Sequence, residues 1–226
     1  ADLFIEIGRS LELWAPQVLE SSGNLKLKGD GLVVASANVE ALEIPKELSR
    51  KNGDVHPEGN PHIWLSPTAA LKMAENIKNA LIKKDEVHKK SYEENFGKFK
   101  EKLAQALFGK DLGSGSKVDF LWRLHQGNKL DEYLKKHKKS VGGWLKLSKN
   151  IDYTFITYHS VWSYLAKEFG LKILAHIEEK SGVAPSLKYQ NELIEKAKKL
   201  FFLFLKIISY FHFLYCTFAR LNDGSY

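Results

Sequence analysis

Two histidines carried on short, rigid segments are the residues most able to do chemistry. His62 lies in Gly53-Asp54-Val55-His56-Pro57-Glu58-Gly59-Asn60-Pro61-His62-Ile63-Trp64-Leu65-Ser66-Pro67, and His159 in Thr157-Tyr158-His159-Ser160-Val161-Trp162 about a hundred residues later. Prolines 57, 61 and 67 restrict the backbone around His62, so its imidazole is presented with little conformational entropy left to lose on binding. Two imidazoles distant in sequence and each held this way suggest a metal ion gripped between two parts of a fold. Zn²⁺ takes four ligands with nitrogen at about 2.0–2.1 Å, and neutral imidazoles meet that need with little charge to desolvate. Cys216 is the only cysteine, so neither an intrachain disulfide nor a thiolate cage is available, and a transition-metal site must draw on histidine and carboxylate.

The elements that must position these residues alternate between strand and helix. Leu3–Ile7 reads as a short apolar strand, Ser10–Ser21 as a helix, and Leu32–Ser36 as a buried parallel strand rich in Val. Ser49–Pro61 is loop by its Gly, Asn and Pro content. A helix starts at Pro67 with Ser66 as N-cap and Ala70, Met73, Ile77 and Leu81 on one face, so His62 sits just ahead of a helix start. Asp85–Leu107 is a second long helix on the repeat of Tyr92, Phe96, Phe99, Leu103 and Leu107. Gly109–Gly115 is the clearest boundary by composition, and Val118–Leu147 has helical periodicity. Asp152–Thr157 and Leu171–Ile177 are strand-like around a helix over Val161–Phe169, with Gly170 as its C-cap. The pattern predicts an α/β fold with parallel sheets. Both histidines are expected on loops at the C-terminal ends of strands, where open α/β sheets place ligands.

The run NPHIWLSPTAALKMAENI resembles a metal-ligand segment of the zinc- and manganese-binding periplasmic solute-binding proteins of ABC transporters (cluster A-I, ZnuA/TroA-like). ADLFIEIG followed by LELW, then ITYHSVWSYLAKEFGLKI, then IEEKSGVAPS, are similar to further family motifs in the family's order, and the resemblance covers roughly residues 1 to 199. It implies two α/β lobes: part of an N-terminal lobe over 1–84, a linking helix over 85–108 and part of a C-terminal lobe over 109–199. It also implies that His62 and His159 are metal ligands, zinc being favoured over Mn²⁺ because manganese-selective relatives tend to carry a carboxylate at the position of His159. Glu178 is expected to support its loop through hydrogen bonds. The implied protein is no enzyme: expected to be a monomer, it captures the ion between lobes outside the cytoplasm, in the periplasm or on the extracellular membrane face, and hands it to a permease. Some relatives also serve in cell adhesion.

The chain departs from the family pattern at both ends. A further histidine ligand is expected ahead of Ala1 and an acidic ligand late in the second lobe, and neither has a counterpart, which predicts a truncated chain that binds zinc far more weakly than an intact relative. From Leu200 the sequence turns into LFFLFLKIISYFHFLYCTFARLNDGSY, holding six of the 13 phenylalanines between Phe201 and Phe218. Its length of about 20 residues suits a membrane helix, although Lys206 and His212 are costly in lipid. Its aromatic and β-branched content also suits two strands. A shifted reading frame is the preferred explanation.

Composition excludes other classes. With 226 residues, 44% of them hydrophobic, the chain can bury a substantial core. The net charge of +7 includes Lys135-Lys136-His137-Lys138-Lys139, read as a solvated helix end, with no nucleic-acid motif beside it. A metallohydrolase would share His and carboxylate donors with an open coordination position, but no HExxH occurs. Ser160 beside His159 is adjacent in sequence and forms no catalytic pair. A membrane-anchored interaction protein governed by the aromatic tail is the other alternative. His56 is a candidate spare ligand or an exposed loop residue, whereas His88, His125, His137 and His176 are assigned to surface or packing.

Overall fold

A computed structural model of the chain describes residues 1–47, 56–151, 154–178, 180 and 182–200. The aromatic run 201–226 and residues 48–55, within the segment expected to be loop, lie outside the described residues. The fold is α/β. Strands β1 (Phe4–Glu6) and β2 (Leu32–Val34) pair in parallel with Phe4 opposite Leu32, and helix α1 (Ala15–Ser21) lies between them in sequence. Helices α2 (Pro67–Lys84), α3 (Lys89–Phe108), α4 (Val118–Gln126), α5 (Leu130–Lys136) and α6 (Gly143–Lys149) follow. A second parallel pair, β3 (Thr154–Thr157) and β4 (Lys172–His176), is joined through α7 (Ser163–Phe169), and α8 (Leu187–Leu200) comes last. Each pair is thus a strand–helix–strand unit, since parallel neighbours need a crossover.

Several boundaries follow from the local chemistry read in the sequence. The Ser66 hydroxyl accepts from the Ala69 backbone N–H at 3.1 Å and Pro67 opens α2, as an N-cap followed by proline at the first helical position should. Gly170 ends α7 in the left-handed conformation, φ 65°, which costs glycine little. The expected helix over Ser10–Ser21 instead begins at Ala15. Glu12 turns back to accept from the backbone N–H groups of Ile7 and Gly8 at 2.9 and 3.1 Å, and Arg9 and Ser10 take positive φ, so residues 8–14 form a turn stabilised by a carboxylate. Strand β2 is parallel as expected but is not buried on both faces: Val33 is buried, while Leu32 and Val34 are more than a third exposed. A two-stranded pair has too few neighbours to cover both sides.

Two apolar clusters hold these elements. The larger joins Leu71 of α2, Ala104, Leu107 and Phe108 of α3, and Val118, Leu121, Trp122, Leu130, Leu134, Val141 and Leu145 from the helices and loops after it. Phe108 is fully buried, with its ring edge-on to Trp122 at 5.2 Å, a favoured aromatic geometry. Immediately after it the chain turns at Gly109, φ 89°, where a Cβ would come within 2.7 Å of the Gly142 Cα. The glycine is needed there because two backbones meet. On the predicted face of α3, Leu107 is buried and Phe96 and Leu103 pack against the cluster, but Phe99 stays exposed.

The smaller cluster consists of Ala35, Ile63, Ala69, Met73 and Tyr164, with Ile7, Val39, Leu42 and Ile77 against it. It brings α7, from late in the chain, onto residues of the first 77. No helix among the described residues is long and apolar enough to cross a membrane. Replacing Phe108 with Ala removes a fully buried ring at the point where α3 meets α4. The expected loss is about 3–5 kcal/mol of unfolding free energy, measurable by urea denaturation; a loss under about 1 kcal/mol would show that this cluster does not carry the stability assigned to it.

Candidate metal centre

His62 and His159 come together. Their ring centroids are 6.1 Å apart with the planes tilted by 50°, and both residues are half-buried. Two imidazoles sharing a tetrahedral ion at about 2.0–2.1 Å from each nitrogen place their ring centroids roughly 5 Å apart. The two rings are therefore near a shared-ion distance, and small side-chain rotations span the rest. His159 follows β3 by two residues, as the open-sheet rule expects. His62 does not follow a strand among the described residues: it precedes a 3₁₀ turn over Ile63–Leu65 that leads into α2. Trp64 and Tyr158 flank the pair, with centroids 5.4 Å from His62 and 5.7 Å from His159 respectively. No group of three or more His, Cys, Asp or Glu side chains disposed around a metal occurs among the described residues.

The segments bearing these rings are joined through Asn60, which is only 5% exposed. Its amide nitrogen lies 2.7 Å from Glu43 Oε2 and 2.6 Å from the Ser160 carbonyl oxygen, and its amide oxygen lies 2.9 Å from both the backbone N and the Nδ1 of His62. Tyr164, buried beneath, donates its hydroxyl proton to the Asn60 carbonyl and accepts from the Leu42 N–H, each at 3.0 Å. Glu43 also accepts from the Ser163 hydroxyl at 2.6 Å. Sequence reading passed over Asn60, Glu43 and Tyr164. Their partners lie 17 to 122 residues away, and only the place of Asn60 two residues before His62 gave a local hint.

His176, assigned to surface or packing, is half-buried beside the centre. Thr157 Oγ1 donates to the His159 carbonyl at 3.1 Å and lies 2.7 Å from His176 Nδ1. The hydroxyl proton is committed to the carbonyl, so Nδ1 of His176 is the donor to Thr157. Burial holds the His176 pKa below its ordinary value; Glu43 opposes the shift, and the His159 ring adds to it while the His159 backbone opposes it. His56 is half-buried with Nδ1 3.2 Å from the Ser10 carbonyl oxygen, tied to the N-terminal turn rather than exposed on its loop. His88 is bonded to Asp85 at 2.7 Å, and His137 stacks on Tyr133 at 4.4 Å. Glu178 accepts from the Gly182 N–H at 3.0 Å and from the Tyr158 hydroxyl, whose pKa it raises, which is the loop-supporting part expected of it.

One buried carboxylate braces the helices behind both histidines. Glu168 of α7 accepts from Ser66 and Thr68 at the start of α2, at 2.6 and 2.7 Å, and lies 2.8 Å from Nε2 of His125 on α4. Burial alone would raise its pKa, but the hydrogen bonds from His125, Ser66 and Thr68 outweigh it and hold the carboxyl below its ordinary 4.5.

Residues 1–107 match the family described as "Zinc-uptake complex component A periplasmic". The chain is similar to zinc-type solute-binding proteins. It is 28% identical over 206 residues to the zinc-binding lipoprotein AdcA of Streptococcus pneumoniae, covering 88% of this chain and 33% of that protein. To the high-affinity zinc uptake system protein ZnuA of Bacillus subtilis it is 30% identical over 177 residues, 76% of this chain and 44% of the relative. A crystal structure of ZnuA shares the fold with a TM-score of 0.58 at 24% identity, covering 88% of this chain and 59% of that one. The chain thus spans between a third and a half of the length of these two curated relatives. The matching family model and the Bacillus subtilis relative are both named for zinc uptake.

A carboxylate with a lowered folded-state pKa contributes stability that is fully present above its unfolded value and is lost as pH falls through the folded one. Glu168→Gln is therefore expected to lower unfolding free energy at neutral pH by on the order of 1–3 kcal/mol. The gap between wild type and variant should narrow as pH drops below the ordinary carboxylate range, which thermal melts across pH 3 to 7 would reveal; a gap independent of pH would contradict the account of this brace.

Proposed function

We propose that this chain captures a divalent transition-metal ion, zinc, as cargo between the His62 and His159 segments, and that it acts as the solute-binding component of an ABC uptake system that passes the ion to a permease. The observation carrying this reading is the approach of the two rings to 6.1 Å from segments far apart in the sequence. It agrees with relatives named for zinc binding and zinc uptake. Two neutral imidazoles favour zinc over manganese by ligand softness, since manganese prefers oxygen donors. A relative from Yersinia pestis is named an iron-binding protein, so the choice of ion is a property of each chain's donor set. Solvent water or further donors complete the coordination in this reading, because the two imidazoles supply only half of a tetrahedral shell.

The proposal extends to organisation and place. Residues 1–84 are part of one lobe and 109–199 part of the other, and α3 with the turn before it is the link between them. The working location is extracytoplasmic, as the periplasmic and lipoprotein descriptions of the relatives suggest. Function then consists of reversible coordination. It needs no general base and no nucleophile, and the hydrogen bonds of His62 and His176 serve to aim donors rather than to move protons.

A competition titration of the full chain with a chromophoric zinc chelator tests this directly. His62→Ala and His159→Ala are each expected to weaken zinc binding at least tenfold, while His137→Ala, which removes a ring stacked on Tyr133, leaves it unchanged. Equal affinity in all four proteins would sink the assignment of the centre.

A further inference from the structure

We infer that Asn60 is the positioning residue of this centre: its amide oxygen holds His62 as the Nδ1–H tautomer, and its amide nitrogen ties the His159 segment to the same point. The amide has one orientation open to it. Its nitrogen faces Glu43 Oε2 at 2.7 Å and the Ser160 carbonyl at 2.6 Å, both acceptors, and its oxygen faces the His62 backbone N–H at 2.9 Å. The flipped amide would set oxygen against two oxygens and N–H against N–H, losing three hydrogen bonds in a buried place. With the oxygen fixed toward His62, its second lone pair meets Nδ1 at 2.9 Å. An amide oxygen can only accept, so Nδ1 carries the proton and the imidazole lone pair sits on Nε2.

The same side chain determines where the other ring lies. Ser160 directly follows His159, and its carbonyl oxygen lies 3.0 Å from Ser163 Oγ at the start of α7. Tyr164, one residue further on, donates to the Asn60 carbonyl. The main chain and side chain of Asn60 thus both bond to the stretch just after His159, and the side chain and His62 share two more bonds. Because Asn60 is only 5% exposed, its amide cannot substitute water for a lost partner without cost. Tautomer and spacing of the two rings therefore depend on one amide. The inference rests on the zinc-capture reading only for its effect on affinity; the tautomer is a property of the protein before any ion arrives.

The test is long-range ¹⁵N NMR of the metal-free full chain at pH 8, with the His62 ring signals identified by their loss in His62→Gln, followed by zinc titration. Wild type is expected to show His62 in the Nδ1–H form; the Nε2–H form would overturn the inference whatever the zinc affinity. Asn60→Ala is expected to release a mixture of tautomers and to weaken zinc binding by about 10–100-fold, the usual effect of removing a partner that orients a metal ligand. Asn60→Asp keeps an acceptor toward His62 and loses the donor toward Glu43 and Ser160, so the Nδ1–H form should persist. A folded Asn60→Ala protein with the Nδ1–H form intact, or a folded Asn60→Asp protein that has lost it, overturns the inference, and the second variant carries the test where the first does not fold. A wild-type Nδ1–H ring in a chain that binds no zinc would instead count against the proposed function and leave the positioning role standing.

Discussion

A single buried amide satisfies its hydrogen bonds only when three distant stretches of chain are together. Asn60 needs Glu43 and the Ser160 carbonyl for its two N–H groups and His62 for its oxygen. A buried polar group without partners costs on the order of 1–3 kcal/mol, which is large against the marginal stability of a domain. The apolar cluster beneath it, with Tyr164, Ile63, Ala35 and Met73, supplies the non-directional attraction that brings these stretches near. The amide then selects one arrangement among the many that such packing allows.

This division of labour recurs at Glu168. Helices α2, α4 and α7 meet through apolar contact, and the carboxylate fixes how they meet by accepting from Ser66, Thr68 and His125. The hydroxyl that caps α2 is also a donor to α7, so the cap of the helix after His62 and the helix after His159 are the same interaction seen from two sides. The larger helical cluster around Phe108 includes residues of α2 and α4, two of the helices this carboxylate joins. It provides mass and rigidity, and the close approach of Gly109 to Gly142 shows how tightly its helices are drawn in. The centre is thus supported by two layers: apolar packing that is tolerant of detail, and buried hydrogen bonds that are not.

Local features of the chain were legible in the sequence because short-range physics decides them. Ser66-Pro67 set the start of α2, Gly170 the end of α7, and apolar spacing the existence of α3. Where a side chain reached past its own element, reading by period failed: Glu12 captured two backbone N–H groups and turned residues 8–14 away from helix. A short apolar run such as Leu32–Val34 also reads the same whether it is covered on two faces or on one, since coverage belongs to its neighbours.

By itself, the sequence determined the α/β alternation, the parallel pairing and the two histidine motifs, all of which rest on residue type and near spacing. Only the tertiary structure decided that the two rings lie 6.1 Å apart, that His176 is half-buried next to them and that Asn60, Glu43 and Tyr164 link the segments. Those facts are contacts between residues 17 to more than a hundred positions apart, beyond the reach of any one element. Hydrogen bonding leaves no periodic mark in a sequence: an asparagine in a proline-bounded loop has the same one-letter code whether its amide meets water or holds a site together, and burial is what makes the difference.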